Sequence, residues 1–301
     1  MLNPKILKFN IILFIIIIIC FLIAKKKAKK IKICLCTIGK LENNYIREFV
    51  EHYSKYKVDK IIIYDNNDIN SESFDDVLSD YIKDKYVDIL NFRGKIGKQM
   101  KMFSNCYKNN YKKYDWLIFY DIDEFINIKN FTNLKEFLGQ PKFEKCNSIY
   151  LNWVIHTDNN LIYYDNRSLF ERFPKIYNNN NFCRGKTIIR GNIEGIRMEN
   201  SHILDKRIRR CDGFGNIYDT SSIKCKKPDF YYYYIDHFYS KSTEEFIKKI
   251  IKGDCGFGLN KKYRYPRIDY YFKFNKLTKK KLDFIINKTD IHITKLKMNI
   301  F

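Results

Sequence analysis

Two phosphate-binding signatures are missing from this chain of 301 residues. No GxGxxG follows a strand-like segment and no GxxxxGK[ST] occurs, so neither a dinucleotide fingerprint nor a P-loop is available to hold phosphate. Zinc-finger spacing, an RNP-type aromatic motif and a basic heptad are also missing, which leaves no sharp ground for a nucleic-acid binder. The chain has nine cysteines but no CxxC and no metal-ligand spacing among them. Cys34 and Cys36 stand two apart in an apolar stretch, share a face, and read with the others as buried free thiols. No internal repeat is visible.

Acidic residues are in short supply. Against 56 Lys and Arg there are 34 Asp and Glu, a formal charge of +22. That excess favours anionic partners such as a phospholipid surface or a phosphorylated small substrate, although most of it is Lys spread evenly over the chain. Disorder is excluded by 45% hydrophobic and 17% aromatic content, which supports a sizeable core.

Long apolar runs are confined to the start. Ile11 to Ala24 is uninterrupted, and extension to Leu7 gives 18 residues, roughly 27 Å of helix, enough for a thin bilayer. No small-residue cleavage site follows, so an uncleaved single-pass anchor over 1–30 is expected. Lys25, Lys26, Lys27, Lys29 and Lys30 after the span outnumber Lys5 and Lys8 before it. The positive-inside rule then puts the large domain on the cytoplasmic face, with a lumenal orientation as the alternative.

Beyond the anchor, apolar periodicity alternates. KIKICLCTI (30–38), KIIIYDNND (60–68), YVDILNF (86–92) and WLIFYDID (116–123) read as strands, separated by helices over 43–56, 74–82 and 100–111. Strand–helix repetition of this kind predicts right-handed crossovers and a mainly parallel α/β sheet, with ligands beyond the carboxyl ends of the strands. Thr37, Asp65 and the Asp121–Glu124 cluster fall on that edge. Later strands are expected at 148–153, 186–190 and 229–238, and Ser242 with Glu245 forms a capping box opening a helix over 243–251.

In DWLIFYDIDEF five apolar or aromatic residues run into three carboxylates. Alternation along one strand would turn Asp121 and Asp123 to the same side and Glu124 away. Two carboxylates converging there suit Mg²⁺ or Mn²⁺, which bridge protein oxygens and phosphates. His237 ends a second apolar strand and could complete the metal shell. Lys241 and the helix start at Ser242 would face phosphate oxygens.

ICLCTIGKLENNYIREFVEHY, IIIYDN, DWLIFYDIDEF, LFERF and DHFYSKSTEEF, taken in order, resemble the motif series of GT-A glycosyltransferases of the family 92 and family 2-like group. The resemblance covers residues 31–256, leaving 257–301 as a basic extension packed on or continuing that domain. It implies a GT-A, Rossmann-like fold and inverting transfer from a nucleotide-diphosphate sugar to a hydroxyl on a glycan, protein or lipid, with Mn²⁺ or Mg²⁺ as cofactor and no nucleic acid. By motif match, Asp65 would contact the nucleobase or ribose, Asp121 the ribose and metal, and Asp123 and His237 the metal. Thr37, Lys241 and Ser242 would line the donor. The stretch HTDNN (156–160) departs from the family pattern. For the base that deprotonates the acceptor, Glu171 in LFERF is the first candidate and Asp158 the second. The rivals are a nucleotidyl- or phosphotransferase on a similar sheet and, outside enzymes, an inactive relative acting as a basic membrane-surface adaptor.

Overall fold

Strand β1 (Ile33–Gly39) is apolar on both faces, and all of it is buried, as a strand covered on both sides requires. Helix α1 (Asn43–Lys55) places Ile46, Phe49, Val50 and Tyr53 on one stripe, and that stripe is the buried one. The alternation continues through β2 (Lys60–Asp65), α2 (Asp75–Lys83), β3 (Val87–Asn91), α3 (Gln99–Asn110) and β4 (Trp116–Phe119). β1 pairs in parallel with both β2 and β4, and β2 with β3, giving a parallel half-sheet β3–β2–β1–β4. The structure is a computed structural model that describes residues 31–178, 184–202, 204–218, 228–253 and 264–289. The expected anchor over 1–30 lies outside the described residues. Among these, no helix is long and apolar enough to cross a membrane.

The other half of the sheet is mixed, so the parallel expectation holds only for the first half. It contains β5 (Glu124–Ile128), β6 (Ser148–Ile155), β7 (Gly185–Arg190) and β10 (Tyr233–His237), with the short β8 (Arg210–Cys211) and β9 (Ile217–Tyr218) off the main path. The strand order is β3-β2-β1-β4-β7-β6-β10-β5. β7 runs antiparallel to β4 and β6, while β10 is parallel to β6 and antiparallel to β5. Short helices α4 (Leu134–Leu138) and α5 (Leu169–Arg172) connect these strands.

The strand expected over 116–123 is broken in two. β4 stops at Phe119, and the Glu124 N–H donates to the Asp121 carbonyl (3.0 Å), closing a turn. The Glu124 carboxylate accepts from the Asp121 N–H (3.0 Å) in return, so a side chain satisfies the backbone group that a continued strand would have paired. Gly39 makes room for this turn. A Cβ there would stand 2.3 Å from the Ile122 side chain.

Among the described residues three helices come last: α6 (Thr243–Lys252), α7 (Arg264–Phe274) and α8 (Lys279–Lys288). The capping box read from Ser242 and Glu245 is present, and α6 ends at Gly253, whose φ of +78° suits glycine. Phe246, Ile247 and Ile250 of α6 share a core with Ile268, Tyr271 and Ile285 of the last two helices. The cysteine expectation is corrected: Cys146 and Cys211 are joined in a disulfide spanning 65 residues. Their partnership depends on β6 and β8 pairing in register from Ser148 opposite Arg210, which sequence spacing does not reveal. Cys34, Cys36 and Cys106 are free and buried, as expected.

Candidate active site

The turn at Tyr120–Asp123 and the end of β10 meet because β10 pairs with β5. That register sets His237 opposite Glu124, and the Phe238 N–H donates to the Asp123 carbonyl (2.9 Å). Asp123, Glu124 and His237 are all buried, and one possible ligand atom from each lies within 4.8 Å of the others. Two atoms in this group, Oε1 of Glu124 and Nδ1 of His237, are buried without a hydrogen-bond partner. Unsatisfied polar atoms in a low-dielectric site are costly unless something binds them. Two carboxylates and an imidazole are a donor set that a hard or borderline divalent ion accepts, so these residues could hold a metal.

Glu124 therefore joins the cluster from which strand alternation had excluded it. Asp121, expected as a ligand, is turned elsewhere: its carboxylate accepts from Lys186 Nζ (2.7 Å) and Gln99 Nε2 (3.1 Å). Lys186 is itself 1% exposed and stands 3.5 Å from Glu124 Oε1.

A cavity of about 270 Å³ opens over this cluster. Asp121, Asp123, Trp153, Lys186, His202 and His237 form its inner wall, and Lys249, Lys252 and Arg267 its basic side. Trp153 packs on His237 with ring centroids 4.3 Å apart, and its indole N–H is unpartnered. His202 donates from one side of its ring to the Gly185 carbonyl (2.9 Å between Nδ1 and O) and is held neutral by burial, with its pKa lowered to about 4.

Lysines and carboxylates pair beside the cavity. Lys249 donates to Asp123 (2.7 Å), Lys241 lies 3.8 Å from Asp123 and 3.5 Å from Glu42, and Lys252 pairs with Glu42. Burial works against ionisation of Asp123, yet Lys249, His237 and Lys241 together hold its carboxyl well below the usual range. For Glu124 burial prevails: it pushes the carboxyl well above the usual range, Lys186 opposes this, and Asp121 and Asp123 reinforce it. His237 is lowered by burial, against the pull of Asp123, and stays neutral, the form that binds a metal.

The remaining expected residues are more scattered. Thr37 is buried within β1, its hydroxyl unpartnered, and does not line the cavity. Asp65 ends β2 on the predicted edge and holds Arg93 (2.8 Å), which also donates to the carbonyls of Ser71 and Asp68 and so pins the loop after β3. Lys241 takes a positive φ of 52° and stacks over the Tyr45 ring, towards a second cavity of about 240 Å³ shared with Lys248 and Glu245. The Ser242 hydroxyl caps α6 by accepting from the Glu245 N–H, so it is already in use.

Neither expected base reaches the cavity. Glu171 is exposed and closes a capping box with Ser168 at the start of α5, and the bonds from Ser168 lower its pKa. Its neighbour Arg172 is buried and pairs with Glu245 (2.8 Å). Asp158 is buried against Lys281 (2.6 Å) and the Tyr271 hydroxyl (2.7 Å), clasping the last two helices to the loop after β6. Glu42, Gln99, Lys186, His202, Lys249, Lys252 and Arg267 were missed by the sequence reading. Only the pair Lys249 and Lys252, three apart on one helix face, left a local signal.

The sheet order thus brings a carboxylate–imidazole cluster beside a cavity that Lys186, Lys249, Lys252 and Arg267 also line. The family model for glycosyltransferase family 92 matches residues 29–252, and the chain belongs to that family. No curated protein sequence matches it. Among solved structures it is similar to TarS of S. aureus, at 12% identity over 80% of this chain and 43% of that one, with a TM-score of 0.38. The chain thus spans under half of that protein. A shorter TarS, residues 1–349 in complex with UDP-GlcNAc, aligns at 14% identity over 86% of this chain and 79% of that one, TM-score 0.41. A mannosyltransferase from Pyrobaculum calidifontis in complex with GDP-Man and Mn²⁺ aligns at 8% identity over 40% and 35%, TM-score 0.31.

Proposed function

We propose that this glycosyltransferase is a membrane-anchored, divalent-metal-dependent enzyme of GT-A arrangement, moving a sugar from a nucleotide diphosphate to an acceptor hydroxyl with inversion. The observation that carries the reading is the buried group of Asp123, Glu124 and His237, with an oxygen and a nitrogen that make no hydrogen bond, beside a cavity that Asp123 and His237 line together with Lys186, Lys249 and Lys252. Mn²⁺ or Mg²⁺ held there would neutralise the diphosphate leaving group. Lys249 and Lys252 supply cations to the cavity wall, and Lys186 donates to the Asp121 carboxylate beside them. Trp153 offers an aromatic face and an indole N–H to a sugar. For the acceptor proton, His202 takes the place of Glu171 and Asp158: it lines the cavity, is neutral, and has one ring nitrogen fixed by Gly185 so that the other is an acceptor.

The disulfide favours an oxidising compartment, and so the lumenal orientation over the one that lysine counting suggests. Protease protection of the catalytic domain in sealed microsomes tests this, since digestion without detergent places the domain in the cytoplasm.

The full chain in detergent, screened against a panel of nucleotide sugars with Mn²⁺ or EDTA, tests the catalytic reading. Nucleotide release should need the metal and fall about a hundred-fold or more in Asp123→Asn. Release that is indifferent to both would leave the metal-dependent reading without support.

A further inference from the structure

Charged side chains pair with one another beside the cavity. Asp121 lies within 4.0 Å of Lys186, Asp123 of Lys249 and Lys241, and Glu42 of Lys241 and Lys252. A dication arriving alone adds positive charge beside these ammonium groups, and a diphosphate arriving alone adds negative charge beside the carboxylates. Arriving together the two offset one another.

Lys249 is where that balance meets the ligand cluster. Its Nζ donates to Asp123 Oδ2 at 2.7 Å, nearer than His237 Nε2 (3.5 Å from Oδ1) or Lys241 (3.8 Å from Oδ2). Its other bond is to the Tyr239 carbonyl (3.2 Å), and its side chain is 24% exposed. It therefore lines the cavity and is partly exposed, whereas Lys186 is buried. Lys252, one helical turn on, is tied to the Lys40 carbonyl and to Glu42 across the same opening.

We propose that Lys249 is a placeholder cation: it occupies the Asp123 carboxylate in the empty site, and yields it to a divalent metal only when a diphosphate arrives to take the ammonium group. Metal and nucleotide binding are thereby coupled. This rests on the metal-dependent reading given above.

The test is Mn²⁺ titration of the full chain in detergent, followed by the electron paramagnetic resonance signal of free Mn²⁺, with and without UDP or GDP. In the wild type, one of these nucleotides should tighten Mn²⁺ binding by about tenfold or more, and Mn²⁺ should tighten that nucleotide by the same factor. Lys249→Met and Lys249→Gln should bind Mn²⁺ without nucleotide about tenfold tighter than the wild type, with the coupling factor reduced to match. Lys249→Arg should behave like the wild type. Unchanged or weaker nucleotide-free binding in both neutral variants overturns the placeholder role while leaving the metal centre in place. Independent binding of Mn²⁺ and nucleotide in the wild type overturns it without recourse to any variant. If Mn²⁺ binds under none of these conditions, the metal centre falls and the inference with it.

Discussion

Replacing Lys281 tests what Asp158 is for. The pair is buried on both sides, 1% and 2% exposed, with Nζ 2.6 Å from Oδ2. Lys281→Met leaves the Asp158 carboxylate with two donors, the Tyr271 hydroxyl (2.7 Å) and the Asn160 N–H (2.9 Å), but no counter-charge. An uncompensated buried charge costs about 3–5 kcal/mol. Asp158→Asn strands the ammonium instead, although the Lys276 carbonyl (2.9 Å) still accepts from it, so a similar or slightly smaller loss is expected. In the double variant both charges are gone, and most of the loss should return, a coupling of about 2 kcal/mol or more. The assay is denaturant unfolding of the full chain followed by the fluorescence of Trp116 and Trp153. Single variants that lose under about 1 kcal/mol, or losses that simply add, would refute the clasp. The same proteins also decide the chemistry. If Asp158 acts only through the clasp, sugar transfer returns with stability in the double variant. If it were the base, transfer would stay lost in a protein that folds again.

Three smaller expectations follow from the same geometry. Glu171→Gln should cost about 1 kcal/mol at most through the capping box and leave transfer within about twofold, checked by melting and initial rates; a hundred-fold loss of rate would restore Glu171 as the base. Reducing the Cys146–Cys211 disulfide, which closes a separation of 65 residues, should lower stability by about 4 kcal/mol; unaltered melting in dithiothreitol, with both thiols alkylated, contradicts this. His52 donates to the Ile126 carbonyl (2.9 Å), and burial lowers its pKa from 6.5 to about 4. The unfolded chain therefore takes up a proton that the folded chain refuses, so this contribution is complete above about pH 6.5 and is lost as pH falls towards 4. The total is about 3 kcal/mol, and His52→Gln should flatten the pH dependence of unfolding between pH 7 and 5.

How much of this could be read from residues alone depends on the range over which each feature is decided. Helix α1 was expected over 43–56 and runs from Asn43 to Lys55, because a one-sided apolar stripe is written in i, i+3 and i+4 neighbours. The capping box at Ser242 is as local, and was found. The break after Phe119 was missed because a long apolar run says nothing about where pairing stops, and here a side chain, Glu124, turns back to the backbone of Asp121.

The site was legible in part for the same reason. Asp123 and His237 could be named from the ends of their strands, since each strand states its own end. That Glu124 belongs with them, and Asp121 with Lys186, follows from strand order: β10 lies against β5, and β7 against β4. Such pairings join residues more than sixty apart, and no period in the sequence encodes them. Both expected bases lie away from the cavity on this count too. An acid beside an arginine in LFERF looks like chemistry until the fold supplies Ser168 to the acid and Glu245 to the arginine. A carboxylate is therefore weak evidence of a base until its partners are known, and a half-buried imidazole with one nitrogen fixed, such as His202, is the stronger candidate, although no motif marked it.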